Sequence, residues 1–419
     1  MDKMKVVSSR LARGAFLAVG VPYVIVIVTN LVRGWPCSQE GEDRFKRALQ
    51  PNRVLKVTYA LAEQLSLAKW LPLYIRWTSF YKTASNVVKD IPYGRHGNVL
   101  DLWMPELMKD RRHIDCTFPN QSSRGSNGRP IIVFVYGGAW GSGDKNMYSL
   151  LAQQIIEHLG AAVIIPNYST YPKGTVPEMV EDLHDTLAFI QSQEFCQLAP
   201  GANQQEVILF GHSAGAHLCA LSSIDLAEGK AAALSVTPSG ASVTADRKDH
   251  EGLAADNSQH CSHEGMSTLA GNSEYASALL SSVRGVVGLG GVYHIMDHYH
   301  HESWRGVEDL SPMWQAMGGM DQFDVFSPVE RLRKMTPDQL KSLPPFYLIH
   351  GTKDSVVPPS ASEKFATVLS DQEVDVTLKM IVEGGHAELI IDAMDSSRKF
   401  HDAVINALTE MRNSILKCD

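Results

Sequence analysis

From about residue 88 onward, short apolar runs alternate with stretches whose apolar positions recur at helical spacing. The runs at 131 to 136 (IIVFVY), 161 to 168 (AAVIIPNY), 206 to 211 (EVILFG), 283 to 291 (VRGVVGLGG), 345 to 351 (PFYLIHG) and 375 to 382 (DVTLKMIV) predict buried strands. Between them, residues 146 to 159, 177 to 193, 214 to 227, 360 to 370 and 396 to 416 predict amphipathic helices. Strand and helix in alternation predict an α/β architecture, a mostly parallel sheet covered by helices on both faces. No internal repeat is visible.

Two segments interrupt the rhythm within the region 88 to 419. Residues 228 to 273 are rich in Ser, Ala, Gly, Asp and His with few large apolar side chains, which predicts a flexible insertion. Residues 294 to 341 follow a strand and carry Trp304, Met313, Trp314, Met317, Met320 and Phe323. They form either a cap-like roof over a pocket or ordinary core packing.

The N-terminal region, 1 to 87, has a different pattern. Residues 15 to 32 (AFLAVGVPYVIVIVTNLV) are uncharged and follow Lys3, Lys5, Arg10 and Arg13, the arrangement of an uncleaved signal anchor. A second stretch, Leu61 to Tyr81, is rich in Leu and Trp but broken by Glu63, Lys69, Pro72 and Arg76. It lies in a headgroup region or packs on the domain. One span with basic residues on its cytosolic side places the domain in a lumen, and two spans return it to the cytosol. A glycan on Asn120, in an Asn-Gln-Ser sequon, would mark a lumenal domain.

Composition narrows the partners. With Lys+Arg 38 against Asp+Glu 46 the net charge is -8, which offers nucleic acid no electrostatic footprint. The six cysteines include no CxxC pair, so no zinc site or dense disulfide framework is indicated.

The chemistry sits at predicted strand ends. VILF runs into Gly211-His212-Ser213-Ala214-Gly215 and then a helix, the strand, turn and helix that a nucleophile elbow needs to raise a serine hydroxyl above a sheet. One strand-helix unit earlier, IIVFV ends in Tyr136-Gly137-Gly138-Ala139-Trp140-Gly141. There the N–H groups of Gly138 and Ala139, with that of Ala214, make a candidate oxyanion hole. Downstream, Asp354 follows FYLIHGTK, and His386 follows DVTLKMIVEGG. Chain order Ser213, Asp354, His386 gives a nucleophile, an orienting acid and a general base. That set requires neither metal nor cofactor. His294 and His298 stand one helical turn apart near His300 and His301, but this histidine cluster is read as exposed side chains, not as a metal site. Asp182 and Asp185 are read as a helix cap or a solvated face.

The combination of GGAW, PNYSTYPKGTVPEMVEDLHDTLAFI, GHSAGAHL, GTKDSVVP and EGGH resembles the α/β-hydrolase carboxylesterases, and among them is most similar to the isoprenylcysteine methylesterases. The likeness covers about Arg95 to Arg398 without the 228 to 273 insertion. It implies an α/β-hydrolase fold, Ser/Asp/His hydrolysis of the methyl ester of prenylated cysteine, and a place in endoplasmic reticulum or Golgi membranes. The partners it implies are a hydrophobic small-molecule or prenylated-protein ester substrate and a membrane. It also implies a hydrophobic pocket, for which Trp140, Tyr148, Trp304 and Trp314 are candidates. Many relatives have His where Tyr136 stands, which bears on substrate subfamily more than on activity. Arylformamidases and short-acyl or lipid esterases share similar oxyanion segments. A non-catalytic hydrolase-fold binding protein is the reading from another class, and it usually lacks a triad residue.

Overall fold

A computed structural model describes residues 20–33, 43–65, 70–105, 128–231 and 264–416. Asn120, Cys37, Cys116, Cys261 and Cys418 lie outside the described residues, as does most of the 228 to 273 insertion. The end of that insertion is regular: a helix runs over Glu264–Ser282 and leads into the next strand.

Eight strands form one sheet in the order β1-β2-β4-β3-β5-β6-β7-β8. The six strands expected from apolar runs are present as β3 (Arg129–Val135), β4 (Ala162–Pro166), β5 (Ala202–His212), β6 (Val283–Leu289), β7 (Phe346–Gly351) and β8 (Val376–Ile381). They pair in parallel, with Ile132 opposite Val163 and Phe134 opposite Phe210. The near-continuous burial of β3, β4, β6 and β7 is what helices on both faces require, whereas at the edge β8 is buried only at Ile381.

Two further strands, β1 (Val87–Tyr93) and β2 (Asn98–Trp103), add an antiparallel hairpin at the edge. Polar residues hid them from an apolar-run reading. β1 is only partly covered, as befits an edge, and bulges between Val88 and Ile91. In β2 the buried Asp101 is polar because it receives the Lys145 ammonium at 2.7 Å. Asp182 and Asp185 correct the expectation of a cap or solvated face: both are buried. Asp185 takes the Arg95 guanidinium at 2.8 Å, while Asp182 accepts from the Ser169 N–H at 2.7 Å and lies 2.9 Å from His96 Nδ1. Their partners come from the hairpin turn and the loop after β4, contacts that helix periodicity alone does not reveal.

The expected helices form with shifted ends. The helix Val176–Ile190 starts at a Thr175/Glu178 capping box. The last helix, expected from 396, begins at His401, because Asp395 folds the preceding residues into a turn by accepting from Ser397.

N-terminal to the sheet, the helices Val21–Arg33 and Pro51–Leu65 pack through a small core of Val26, Val54 and Val57. Arg47 and Arg53 fasten this pair to Glu308, at 3.1 and 2.6 Å, in the segment after the helix Ile295–Arg305. The helix Leu71–Thr83 buries Leu73 and Trp77 in the main core and leaves Leu71, Tyr74 and Ile75 exposed. Among the described residues no helix is long and apolar enough to cross a membrane. The 15 to 32 segment is described only from residue 20, and its helix has 13 residues.

Candidate active site

The candidate triad and oxyanion residues lie at carboxyl ends of the parallel strands, where α/β sheets open their crevices. β5 delivers Ser213 between its last residue, His212, and the helix Ala214–Ala227. The turn is tight enough to place Ser213 at φ 55, ψ -121, a conformation that costs a non-glycine residue roughly 1–3 kcal/mol. Two glycines make it sterically possible. A Cβ on Gly215 would sit 2.0 Å from the Val135 carbonyl oxygen, and one on Gly211 would sit 2.4 Å from the Ala216 backbone. Small residues on both sides of the serine therefore let the helix start press directly against β5 and β3.

The loop after β7 contributes Asp354, and the turn after β8 contributes His386 at the first position of the helix His386–Asp392. His386 Nε2 is 2.9 Å from Ser213 Oγ, and His386 Nδ1 is 2.7 Å from Asp354 Oδ2. The other carboxylate oxygen of Asp354 accepts from the Val356 and Val357 N–H groups at 2.9 and 2.8 Å. Burial by itself would raise this carboxyl's pKa. His386, His350 and their hydrogen bonds outweigh it and hold Asp354 well below the usual carboxylate range. An ionised Asp354 fixes the imidazole with Nδ1 protonated, leaving Nε2 free to take the serine proton. Gly290, at φ +58 after β6, keeps this contact clear, since a Cβ there would lie 3.2 Å from His386 Nδ1.

The candidate oxyanion segment turns back beside the serine. Gly138, Ala139 and Trp140 have φ of 139°, 50° and 59°, and the Gly141 N–H closes the turn on the Gly138 carbonyl at 3.1 Å. A Cβ on Gly137 would sit 2.8 Å from that of Ser213. Ala214 is the first residue of its helix, so its N–H has no partner within that helix. Trp140 is pinned by its indole N–H, which donates to His217 Nδ1 at 3.1 Å. His217 in turn donates from Nε2 to the Phe326 carbonyl at 2.7 Å, tying the serine's helix and this turn to the 294 to 341 insertion.

The aromatic candidates separate. Trp140 is buried beside the site, whereas Tyr148 belongs to the interior, stacked on Tyr136 at 5.7 Å, and Trp304 is exposed. Met313, Met317 and Phe323 are buried, so that insertion contributes to the core. Tyr136 is buried too, and its hydroxyl donates to Asn167 Oδ1 at 3.0 Å. Among the described residues no group of three or more His, Cys, Asp or Glu is placed to hold a metal ion. His298 is buried beside Glu302 rather than exposed. Sequence reasoning passed over His212 and His217, whose partners are distant in the chain, and His350, whose partners lie in the loop and helix that follow it; the one local signal was their position beside the GxSxG and GTKD motifs.

The profile of the BD-FAE family matches residues 114–369. A probable isoprenylcysteine alpha-carbonyl methylesterase from Oryza sativa is 27% identical over 341 residues, covering 80% of this chain and 66% of that protein. An esterase from Mycobacterium tuberculosis, LipQ, is 25% identical over 327 residues, covering 76% of this chain and 61% of its own length. The chain thus spans slightly less than two thirds of these relatives. Among solved structures, carboxyl esterase 2 of Tuber melanosporum superposes with a TM-score of 0.53 at 13% identity, over 80% of this chain and 90% of that one, which is a likeness of fold.

The strain at Ser213 is testable without any substrate. Ser213→Ala keeps the unfavourable backbone and Ser213→Gly releases it, so the glycine variant is expected to be the more stable of the two by about 1 kcal/mol in urea unfolding. Equal midpoints would contradict a strained elbow.

Burial pushes His212 down to about 3 and His217 down to about 4. In the unfolded chain a histidine takes its proton near pH ~6.5. Their contribution to stability is therefore complete above that pH and is lost as pH falls toward the folded-state values. The thermal midpoint is expected to decline steadily from pH 7 to pH 4, and a midpoint unchanged over that interval would exclude neutral burial of these rings.

Proposed function

Because the chain belongs to the BD-FAE family of α/β hydrolases, we propose that it is a serine carboxylesterase acting on a hydrophobic ester, the methyl ester of prenylated cysteine. The observation that carries this reading is the relay of Ser213, His386 and Asp354, with contacts of 2.9 and 2.7 Å on a strained elbow. Ser213 Oγ attacks the ester carbonyl carbon as its proton passes to His386 Nε2. Asp354 stabilises the resulting imidazolium, and the N–H groups of Gly138, Ala139 and Ala214 receive the oxyanion. Collapse breaks the carbonyl–methoxy bond, and His386 returns the proton to methanol as it leaves. Water, deprotonated by the same imidazole, then opens the acyl-enzyme, releasing the free carboxylate and regenerating the serine.

Similarity to the plant methylesterase supports the choice of ester. Attachment to an endoplasmic-reticulum or Golgi membrane is part of the proposal. It is supported by the uncharged run at 15 to 32 behind Lys3, Lys5, Arg10 and Arg13. Val28 and Leu31 within that run, with Leu55, Tyr59, Leu71 and Ile75 on two further helices, expose apolar surface.

Hydrolysis of farnesylcysteine methyl ester, a short aryl ester and an arylformamide by wild type and Ser213→Ala tests the chemistry and the substrate together. Wild type is expected to prefer the prenyl ester, and Ser213→Ala to lose at least about a thousandfold in kcat. Preference for either other substrate would keep the mechanism and reject the methylesterase reading; retained turnover in Ser213→Ala would reject the mechanism.

The full chain is also expected to float with phosphatidylcholine vesicles, and Leu55→Ser/Leu71→Ser/Ile75→Ser to float less. Wild type left unbound would reject membrane attachment.

A further inference from the structure

Behind the relay stands a buried histidine that the proton transfers do not use. His350 is the fifth residue of β7, and its side chain is wholly inaccessible. Its Nδ1 lies 2.7 Å from Ser362 Oγ in the helix Ser360–Asp371. Its Nε2 lies 3.0 Å from the Val357 carbonyl oxygen and 3.2 Å from Asp354 Oδ2. Both neighbours of Nε2 are acceptors, so this nitrogen carries a proton, and Nδ1 accepts from the Ser362 hydroxyl. Asp354 thus accepts three hydrogen bonds and has, 3.2 Å from Oδ2, the His350 Nε2–H group that bonds to Val357. Two backbone N–H groups serve Oδ1, while His386 Nδ1 and His350 Nε2 converge on Oδ2.

We propose that His350 is a positioning residue of the relay: it shares its Nε2 proton between Val357 and Asp354, fixes the carboxylate plane, and sets the pH at which His386 gives up its proton. The inference rests on the esterase reading. A carboxylate that divides its charge among more donors is a weaker base toward each of them. His350 therefore draws negative charge off Oδ2, the imidazolium of His386 is held less tightly, and the neutral base persists to lower pH. The other titratable groups around the relay are His212, whose ring centre is 4.9 Å from that of His386, and His301, which meets the Ser355 carbonyl at 2.9 Å. Neither bridges to the Asp354 carboxylate as His350 does.

The test is the rate at which a fluorophosphonate labels Ser213 between pH 5 and 8.5, a readout that does not depend on the natural substrate. In His350→Phe, which keeps a ring but removes the donor, the acid limb is expected to move to higher pH, lowering the rate at pH 6 about threefold to tenfold relative to pH 8. In His350→Gln the side-chain amide supplies a donor again, and the limb is expected to return toward wild type. A rate in His350→Phe that falls equally at every pH overturns the inference, because packing alone would do that. If His350→Phe does not fold, Ser362→Ala, which removes only the Nδ1 partner, is expected to move the limb the same way by a smaller amount, and an unmoved limb again overturns it. Wild type that is not labelled at all overturns the esterase reading and this inference with it, whereas labelled wild type with immobile limbs in the variants overturns this inference alone.

Discussion

The approach of the helix Ala214–Ala227 to β3 is the contact from which the site follows. Gly215 brings the helix start so near Val135 that a single methyl group would collide with the carbonyl there. That closeness bends the chain at Ser213 into a left-handed conformation and lifts the hydroxyl clear of the sheet. It also sets the first amide of the helix beside the turn that follows β3. The proposed nucleophile and the candidate oxyanion turn are thus placed by one packing constraint, and the strain at the serine is sustained by the buried strands on either side.

The acid and base depend on the same sheet for their register. Parallel pairing of β7 with β8, Gly351 opposite Ile381, places the loops holding Asp354 and His386 at equal height. Gly290 after β6 clears the space where they meet. Around them the protein spends buried histidines, an unusual choice, since such rings resist protonation when desolvated. Kept neutral, His212 and His217 serve as fixed hydrogen-bonding groups.

Much of this was legible in the residues. Uninterrupted apolar runs identified the six parallel strands, and Ser213, Asp354 and His386 stood at their ends in an order that only one arrangement explains. Legibility failed where polarity is satisfied from far away. β2 was missed because Asp101 breaks its apolar run, and buried Asp101 is tolerable because Lys145, 44 residues on, and the Asp90 N–H both donate to it. Asp182 and Asp185 looked solvated because Arg95, His96 and Ser169 reach them across the fold. His350 is the local case: its partners Asp354 and Ser362 follow it closely in the chain, but neither faces it until the loop closes, so it looked like one more strand residue. The common cause is that burying a polar group is a long-range decision, while periodicity reports only on the nearest few residues.

The link from Trp140 through His217 to the Phe326 carbonyl has an implication for how such an enzyme diversifies. Phe326 of the 294 to 341 segment thereby bears on the position of the turn that is the candidate oxyanion hole. A substitution that displaces the Phe326 carbonyl would, through two hydrogen bonds, disturb that turn. Were the same segment to contact the substrate, selectivity and turnover would be mechanically joined, and a lineage changing its substrate would have to repair this linkage as it remodels the segment. Change confined to parts of the segment that do not move Phe326 would escape that restriction.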